Sequence, residues 1–316
     1  MAKGGIIDVH HHILPPFYLT ALGERIGTQG LTGSLPDWSP SISLEAMDRN
    51  GIAAAVTSIS SPGIHLGDPA ATKRLARACN DYAASLKRDH PKRFGFFAVL
   101  PLPDVDASLV EIEHAFDVLG ADGVGLLTNY GGVYPGDTRL APIFAELERR
   151  KAVIFFHPTA SAGWEWLPDI PMPTLEFPFD TTRAVVSMLL GGTFTHCPKA
   201  RFIFSHAGGT VPFLIERIAR LSILPQFQRN VPDGVRAVLR RLYFDLALAS
   251  NPLAFSTLMQ VTDCGQLLFG SDYPHAREKT MADMVNGIKG LPASDPDYDK
   301  IARGNAIALF PTLAQR

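Results

Sequence analysis

Cysteine is scarce in this sequence: Cys79, Cys197 and Cys264 stand far apart, odd in number and with no Cys-Xaa-Xaa-Cys pair. That excludes a disulfide framework or a zinc-knuckle site and leaves three reduced thiols expected in the core. A surplus of one charge is also lacking. Lys and Arg total 29 against 31 Asp and Glu, a net charge of -2, so there is no basic field to draw nucleic acid or an anionic membrane surface. No window approaches the ~18 uninterrupted apolar residues of a membrane span, and the first residues carry one lysine without the apolar core of a secretion signal. The expected address is the cytoplasm. No Gly-Xaa-Gly-Xaa-Xaa-Gly follows an early strand and no fixed-period repeat is visible, which leaves a dinucleotide fold or a solenoid without support.

What is present is an ordinary globular balance, 46% hydrophobic and 19% charged, with 25 prolines and 27 glycines dispersed through 316 residues. Dispersed Pro and Gly mark many abrupt strand-to-loop and loop-to-helix transitions. Eight apolar runs have the length of buried parallel strands: Ile6–Pro16 at its start, then Ile52–Ser60, Arg93–Pro101, Gly123–Asn129, Ala152–Pro158, Arg201–Gly208, Leu242–Ala249 and Leu267–Pro274. Helical periodicity separates nearly all of them, as in residues 70–89 behind the capping Asp68 and in Asp106–Leu119. The first helix is expected over Leu44–Asn50, with Ser43 as its cap. Continuous apolar runs rather than alternation mean strands covered on both faces. Eight such units in this length predict a (β/α)8 TIM barrel in one domain, residues 1–316, with the doubly wound open sheet as runner-up. Two aromatic, glycine- and proline-rich insertions, near residues 15–42 and 160–179, read as lids or pocket walls.

The barrel reading gives the polar residues meaning, because catalytic groups of such barrels gather where strands end. The first strand runs Ile6-Ile7-Asp8-Val9-His10-His11-His12. Alternation puts His10 and His12 on one face with Asp8, and His11 on the other. His157 ends the fifth strand, His206 the sixth and Asp272 the eighth. A mononuclear metal site needs about three or four protein ligands plus an open position. His10, His12, His157 and Asp272 supply that number, and His206 is left as a general acid or base near neutral pH.

The motifs "IDVHHHILPP", "FFHPT", "FSHAGGTVPFLIERI", "FGSDYPH" and "GNAIALF", in this order, resemble the amidohydrolase superfamily over essentially the whole chain. The branch is that of 2-amino-3-carboxymuconate-semialdehyde decarboxylase and γ-resorcylate decarboxylase. The resemblance implies that His10, His12, His157 and Asp272 bind one divalent ion, usually zinc and in some members manganese, and that His206 and Asp272 are catalytic. It also implies a homodimer. "GLLTN" ends the fourth strand without a lysine, so the carbamylated-lysine binuclear centre of other amidohydrolases is not implied. Ser43 and Glu45 stand in "WSPSISLEAMD", where the carboxymuconate enzyme carries arginines, which argues against that substrate. "GVGLLTNYGGVY" and "LPDWSPS" are similar to decarboxylases of 6-methylsalicylate type. The implied activity is metal-dependent, non-oxidative decarboxylation of a small hydroxylated aromatic carboxylic acid. The alternative is hydrolysis of a lactone or amide.

Blander explanations stand beside each residue. His157 and His206 can be core histidines bonded to carbonyls, and Asp272 can cap a turn. His11, His65, His90, His114 and His196 lack strand-end context and read as surface or packing residues. His275, three residues past Asp272, is a candidate for reaching the pocket. Trp38, Trp164, Trp166 and Phe177 either line an aromatic slot or pack their own loops.

Overall fold

A computed structural model describes residues 4–23, 36–65, 67–161 and 169–314. Parts of both predicted lids, with Trp164 and Trp166, lie outside the described residues. The strands are β1 (Ile6–His12), β2 (Ile52–Ser58), β3 (Phe94–Val99), β4 (Gly123–Leu127), β5 (Val153–His157), β6 (Arg201–Phe204), β7 (Tyr243–Asp245) and β8 (Leu267–Leu268). All neighbours pair in parallel and in sequence order. The ring closes where Val9 N–H donates to Phe269 C=O at 3.0 Å and His12 N–H to Tyr273 C=O at 2.7 Å. The expected (β/α)8 barrel is therefore the architecture.

Side chains from alternate strand positions fill the barrel: Ile7, Val9, Ala54, Val56, Phe97, Phe155, Ile203 and Leu268 form one buried cluster. Ala306, Phe310 and Leu313 from the end of the chain join it. Asn305 fixes this plug by donating to Cys264 C=O at 2.7 Å and Leu267 C=O at 2.8 Å. The larger cluster lies outside the strands, under the helices. All three cysteines are free and buried, as expected.

Several predicted boundaries shift. β6, β7 and β8 stop several residues early, and His206, Leu248 and Asp272 just beyond them adopt positive φ of 53°, 54° and 55°. A non-glycine residue there leaves the extended ladder, so these ends bend instead of pairing. A short helix, Pro16–Leu22, opens the first predicted lid, so the helix expected behind Ser43 is the second; it spans Pro40–Arg49 and is capped by Ser39, whose hydroxyl accepts from Ile42 N–H. Ser43 sits inside it and its hydroxyl is used elsewhere, as described below. Asp68 caps Pro69–Asp89 as expected.

Candidate metal centre

The strand β1 does not keep simple alternation. Its register against β2 slips between Asp8, opposite Ala55, and His11, opposite Thr57. Three steps on β1 match two on β2, which is a bulge, and a bulge reverses the facing of everything beyond it. Ile7 and Val9 face the barrel interior, and after the slip His10 and His12 follow them inward. Asp8 therefore does not share their face. Its carboxylate accepts from His11 Nδ1 at 2.9 Å, from Ser271 Oγ at 2.5 Å and from Ser271 N–H at 3.0 Å. His11 Nε2 lies 2.7 Å from the Ser43 hydroxyl. Thus Asp8, His11, Ser43 and Ser271 form a buried tie between β1, the second helix and the segment after β8.

On the interior side, His10, His12, His157 and Asp272 each offer one donor atom, all within 4.8 Å of one another. All four are buried. His10 Nε2 and His12 Nε2 are 3.1 Å apart, and Asp272 Oδ1 is 3.1 Å from His12 Nε2 and 3.3 Å from His10 Nε2. His157 Nε2 is 3.9 Å from the same oxygen.

The far nitrogen of each ring has its own partner. His10 Nδ1 donates to Asp245 Oδ2 at 2.9 Å and His157 Nδ1 to Pro158 C=O at 2.8 Å, while His12 Nδ1 lies 3.0 Å from the Ser58 hydroxyl. Three Nε2 atoms and a carboxylate oxygen are left converging. Nitrogen lone pairs 3.1 Å apart repel unless a proton or cation lies between them, and ligands of a tetrahedral ion with ~2.0 Å bonds stand about 3.3 Å apart. The donor set therefore fits one divalent ion, with the outer hydrogen bonds orienting its ligands. Ser58 and Asp245 end β2 and β7, so the strand-end rule that singled out His157 reaches them too.

Among protein groups alone, the site is strongly polarised. Burial lowers His12 well below the ordinary histidine value and His157 to about 4. Burial works the same way on His10, but Asp245 and Asp272 outweigh it and raise its pKa to about 10. Burial would raise Asp272, yet His10 above all, with hydrogen bonds from the three histidines, holds its carboxyl well below the usual range.

Asp272 turns its second oxygen elsewhere: Oδ2 lies 3.5 Å from His206 Nε2. The His206 ring is otherwise without a hydrogen-bond partner among the described residues, and its backbone N–H donates to Asp245 Oδ1 at 3.0 Å. His206, Ala207 and Asp272 all have positive φ. Three strained non-glycine residues in one site are the kind of conformation that surrounding structure must hold in place. Gly270 allows the close approach: a Cβ there would lie 2.8 Å from the Cβ of His10.

Phe177 covers the site, its ring 5.6 Å from that of His157 and 6.5 Å from that of His206. The ring of Trp38 packs 6.3 Å from that of Tyr82, on the helix Pro69–Asp89. His275 does reach the cluster, with ring centroid 5.4 Å from His12. Burial pushes the His275 pKa down. A buried carboxylate that sequence reasoning missed, Asp180, accepts from Asn129 Nδ2 at 2.8 Å, from Tyr134 OH at 2.6 Å and from the Thr128 hydroxyl. It ties the end of β4 to the helix Met172–Gly191 that carries Phe177.

A (β/α)8 barrel whose strand ends present three histidines and an aspartate around one cation site is a mononuclear metallo-barrel. The chain belongs to the amidohydrolase family, which matches residues 7–312. It is 36% identical to a 6-methylsalicylic acid decarboxylase of Penicillium expansum, over 99% of this chain and 97% of that protein. A crystal structure of an amidohydrolase II superposes with a TM-score of 0.90 at 31% identity, covering 97% of this chain and 99% of the other. A dihydroxybenzoic acid decarboxylase from Polaromonas, with bound manganese and 2-nitroresorcinol, has the same fold. Its TM-score is 0.79 at 20% identity, over 98% of this chain and 97% of that one.

Proposed function

We propose that this protein is a metal-dependent, non-oxidative decarboxylase of a small hydroxylated aromatic carboxylic acid of salicylate type, with 6-methylsalicylate the first candidate. His10, His12, His157 and Asp272 are the ligands of one ion, and His206 and Asp272 are the catalytic pair. A divalent ion held there supplies positive charge for the carboxylate and the adjacent hydroxyl of the acid. The ring itself accepts the electron pair, so no organic cofactor is required.

The observation that carries this reading is the division of Asp272: Oδ1 faces the histidine nitrogens and Oδ2 faces His206. A proton can pass between Asp272 Oδ2 and His206 Nε2 and be delivered to the ring carbon that bears the carboxylate. The new C–H bond forms, the C–C bond breaks, its electrons restore the aromatic ring and carbon dioxide leaves. His206 then recovers a proton from solvent. Phe177 offers an aromatic wall over the site, which suits a planar substrate. The 6-methylsalicylic acid decarboxylase relative supports the same substrate class.

Three imidazole nitrogens and one carboxylate favour zinc, with manganese the second choice because the Polaromonas neighbour holds it. A homodimer is consistent with the exposed Phe213 and Leu253, on helices Val211–Ala219 and Pro252–Leu258 that pack together. Cytoplasmic location remains part of the proposal; among the described residues no helix is long and apolar enough to cross a membrane.

The test is carbon dioxide release from a panel of hydroxybenzoates by protein of known metal content. Turnover of an ortho-hydroxy acid, lost in His206→Asn with the ion retained, is expected. Oxygen-18 from water appearing in a product carboxylate from lactones or amides, with no turnover of the panel, would establish hydrolysis instead.

A further inference from the structure

Two imidazoles beside the cluster have a buried nitrogen without a hydrogen-bond partner among the described residues, and only one of them has a role in the chemistry above. His206 lies on the His10 and His157 side, at ring distances of 5.0 Å and 5.9 Å. His275 lies on the His12 side, at 5.4 Å. Its Nε2 is buried without a partner, and His275 is not one of the four converging donors. An unpaired buried polar nitrogen is costly to the fold, because it has given up water without gaining a partner. Such a group next to a reaction centre marks a place that a ligand completes.

The neighbouring charges say which part of the ligand. Asp272 and Asp245 are both acidic and buried against the histidines, and among the described residues their ion-pair partners are histidines alone, with no Lys or Arg. A substrate carboxylate entering here needs a donor that is not itself a ligand of the ion. Asp272 and His206 are taken up by proton delivery, and Phe177 offers only a ring face. An imidazole N–H is the group left over.

We propose that His275 is a substrate-anchoring residue, its ring N–H donating to a carboxylate oxygen of the bound aromatic acid on the His12 side of the centre. This rests on the decarboxylase reading and assigns to that site the group that distinguishes the acid from its phenolic product. It gives the enzyme a physical means of releasing product: once carbon dioxide departs, the phenol has no acceptor left for His275 and loses that bond.

The experiment uses metal-loaded wild type, His275→Phe and His275→Gln, with metal content and thermal unfolding measured first. Binding is then titrated with 2-hydroxybenzenesulfonate, an anion that cannot lose carbon dioxide, and with phenol. His275→Phe should retain its ion and weaken the sulfonate by about tenfold or more, since one lost hydrogen bond to a charged group is worth that much, while phenol changes by less than about twofold. His275→Gln, which keeps a donor, should recover most of the affinity. In turnover, KM for the acid should rise more than kcat falls. Equal weakening of both probes, unchanged sulfonate binding or loss of the ion in His275→Phe would overturn the assignment. Wild-type protein that binds the sulfonate and releases carbon dioxide while His275→Phe behaves identically sinks this inference alone; wild type that turns over no acid sinks the decarboxylase reading beneath it.

Discussion

Three adjacent histidines meet two different fates, and the difference lies in hydrogen-bond partners a few ångströms away. His10 and His12 each have Nδ1 engaged and Nε2 free to face the cluster. His11 has both nitrogens used, by Asp8 and Ser43. His11→Ala should keep its ion and lose about 1–3 kcal/mol of stability, because Asp8 and Ser43 would be left buried with an empty bonding position. His12→Ala should lose most of its ion; metal analysis paired with urea unfolding separates the two effects. The pKa directions add a second expectation. Asp245 and Asp272 keep His10 protonated up to about pH 10, whereas burial lowers His157 to about 4 and holds His12 well below the ordinary histidine range. An ion must take the His10 Nε2 lone pair, so loading the apoprotein at pH 8 should expel about one proton per ion, a release that fades as pH rises past 10. Calorimetry in buffers of different ionisation heat reads that proton directly.

At the scale of elements, the barrel and its strand-end residues were legible because apolar runs and terminal polar side chains are local features of the sequence. The bulge in β1 was not. Whether Asp8 joins His10 or His11 depends on a register slip against β2, and that slip is fixed by partners in β2 and after β8, remote in sequence. The same is true of the hydroxyl of Ser43, which local reasoning reads as a helix cap and tertiary structure gives to His11. Asp180 offered no signal, being one acidic residue inside a helix; only the approach of Thr128, Asn129 and Tyr134 gives it a function. Gly270 tests how tightly β1 and the segment after β8 are pressed together. Its replacement by Ala pushes a methyl to 2.8 Å from the Cβ of His10. That crowding should cost about 1–3 kcal/mol in chemical denaturation and weaken ion binding along with it.

In the whole molecule, the carboxyl-terminal plug closes one end of the barrel and the cation site lies at the other, so β1, β2, β5, β7 and the segment after β8 all converge on the centre. A ligand shared by so many elements stabilises the folded state alone, by RT ln(1 + [L]/Kd), about 4 kcal/mol at a thousandfold excess over Kd. Chelation should therefore lower the melting temperature by several degrees, and zinc or manganese should restore it. The central claim is tested most directly by nuclear magnetic resonance of 6-methylsalicylate, carbon-13 labelled at the carboxylate, in heavy water with the metal-loaded protein. The account predicts labelled carbon dioxide and 3-methylphenol carrying one deuterium at the vacated ring carbon, with turnover abolished by the chelator. Unaltered acid in the presence of protein that holds its full complement of metal would contradict it.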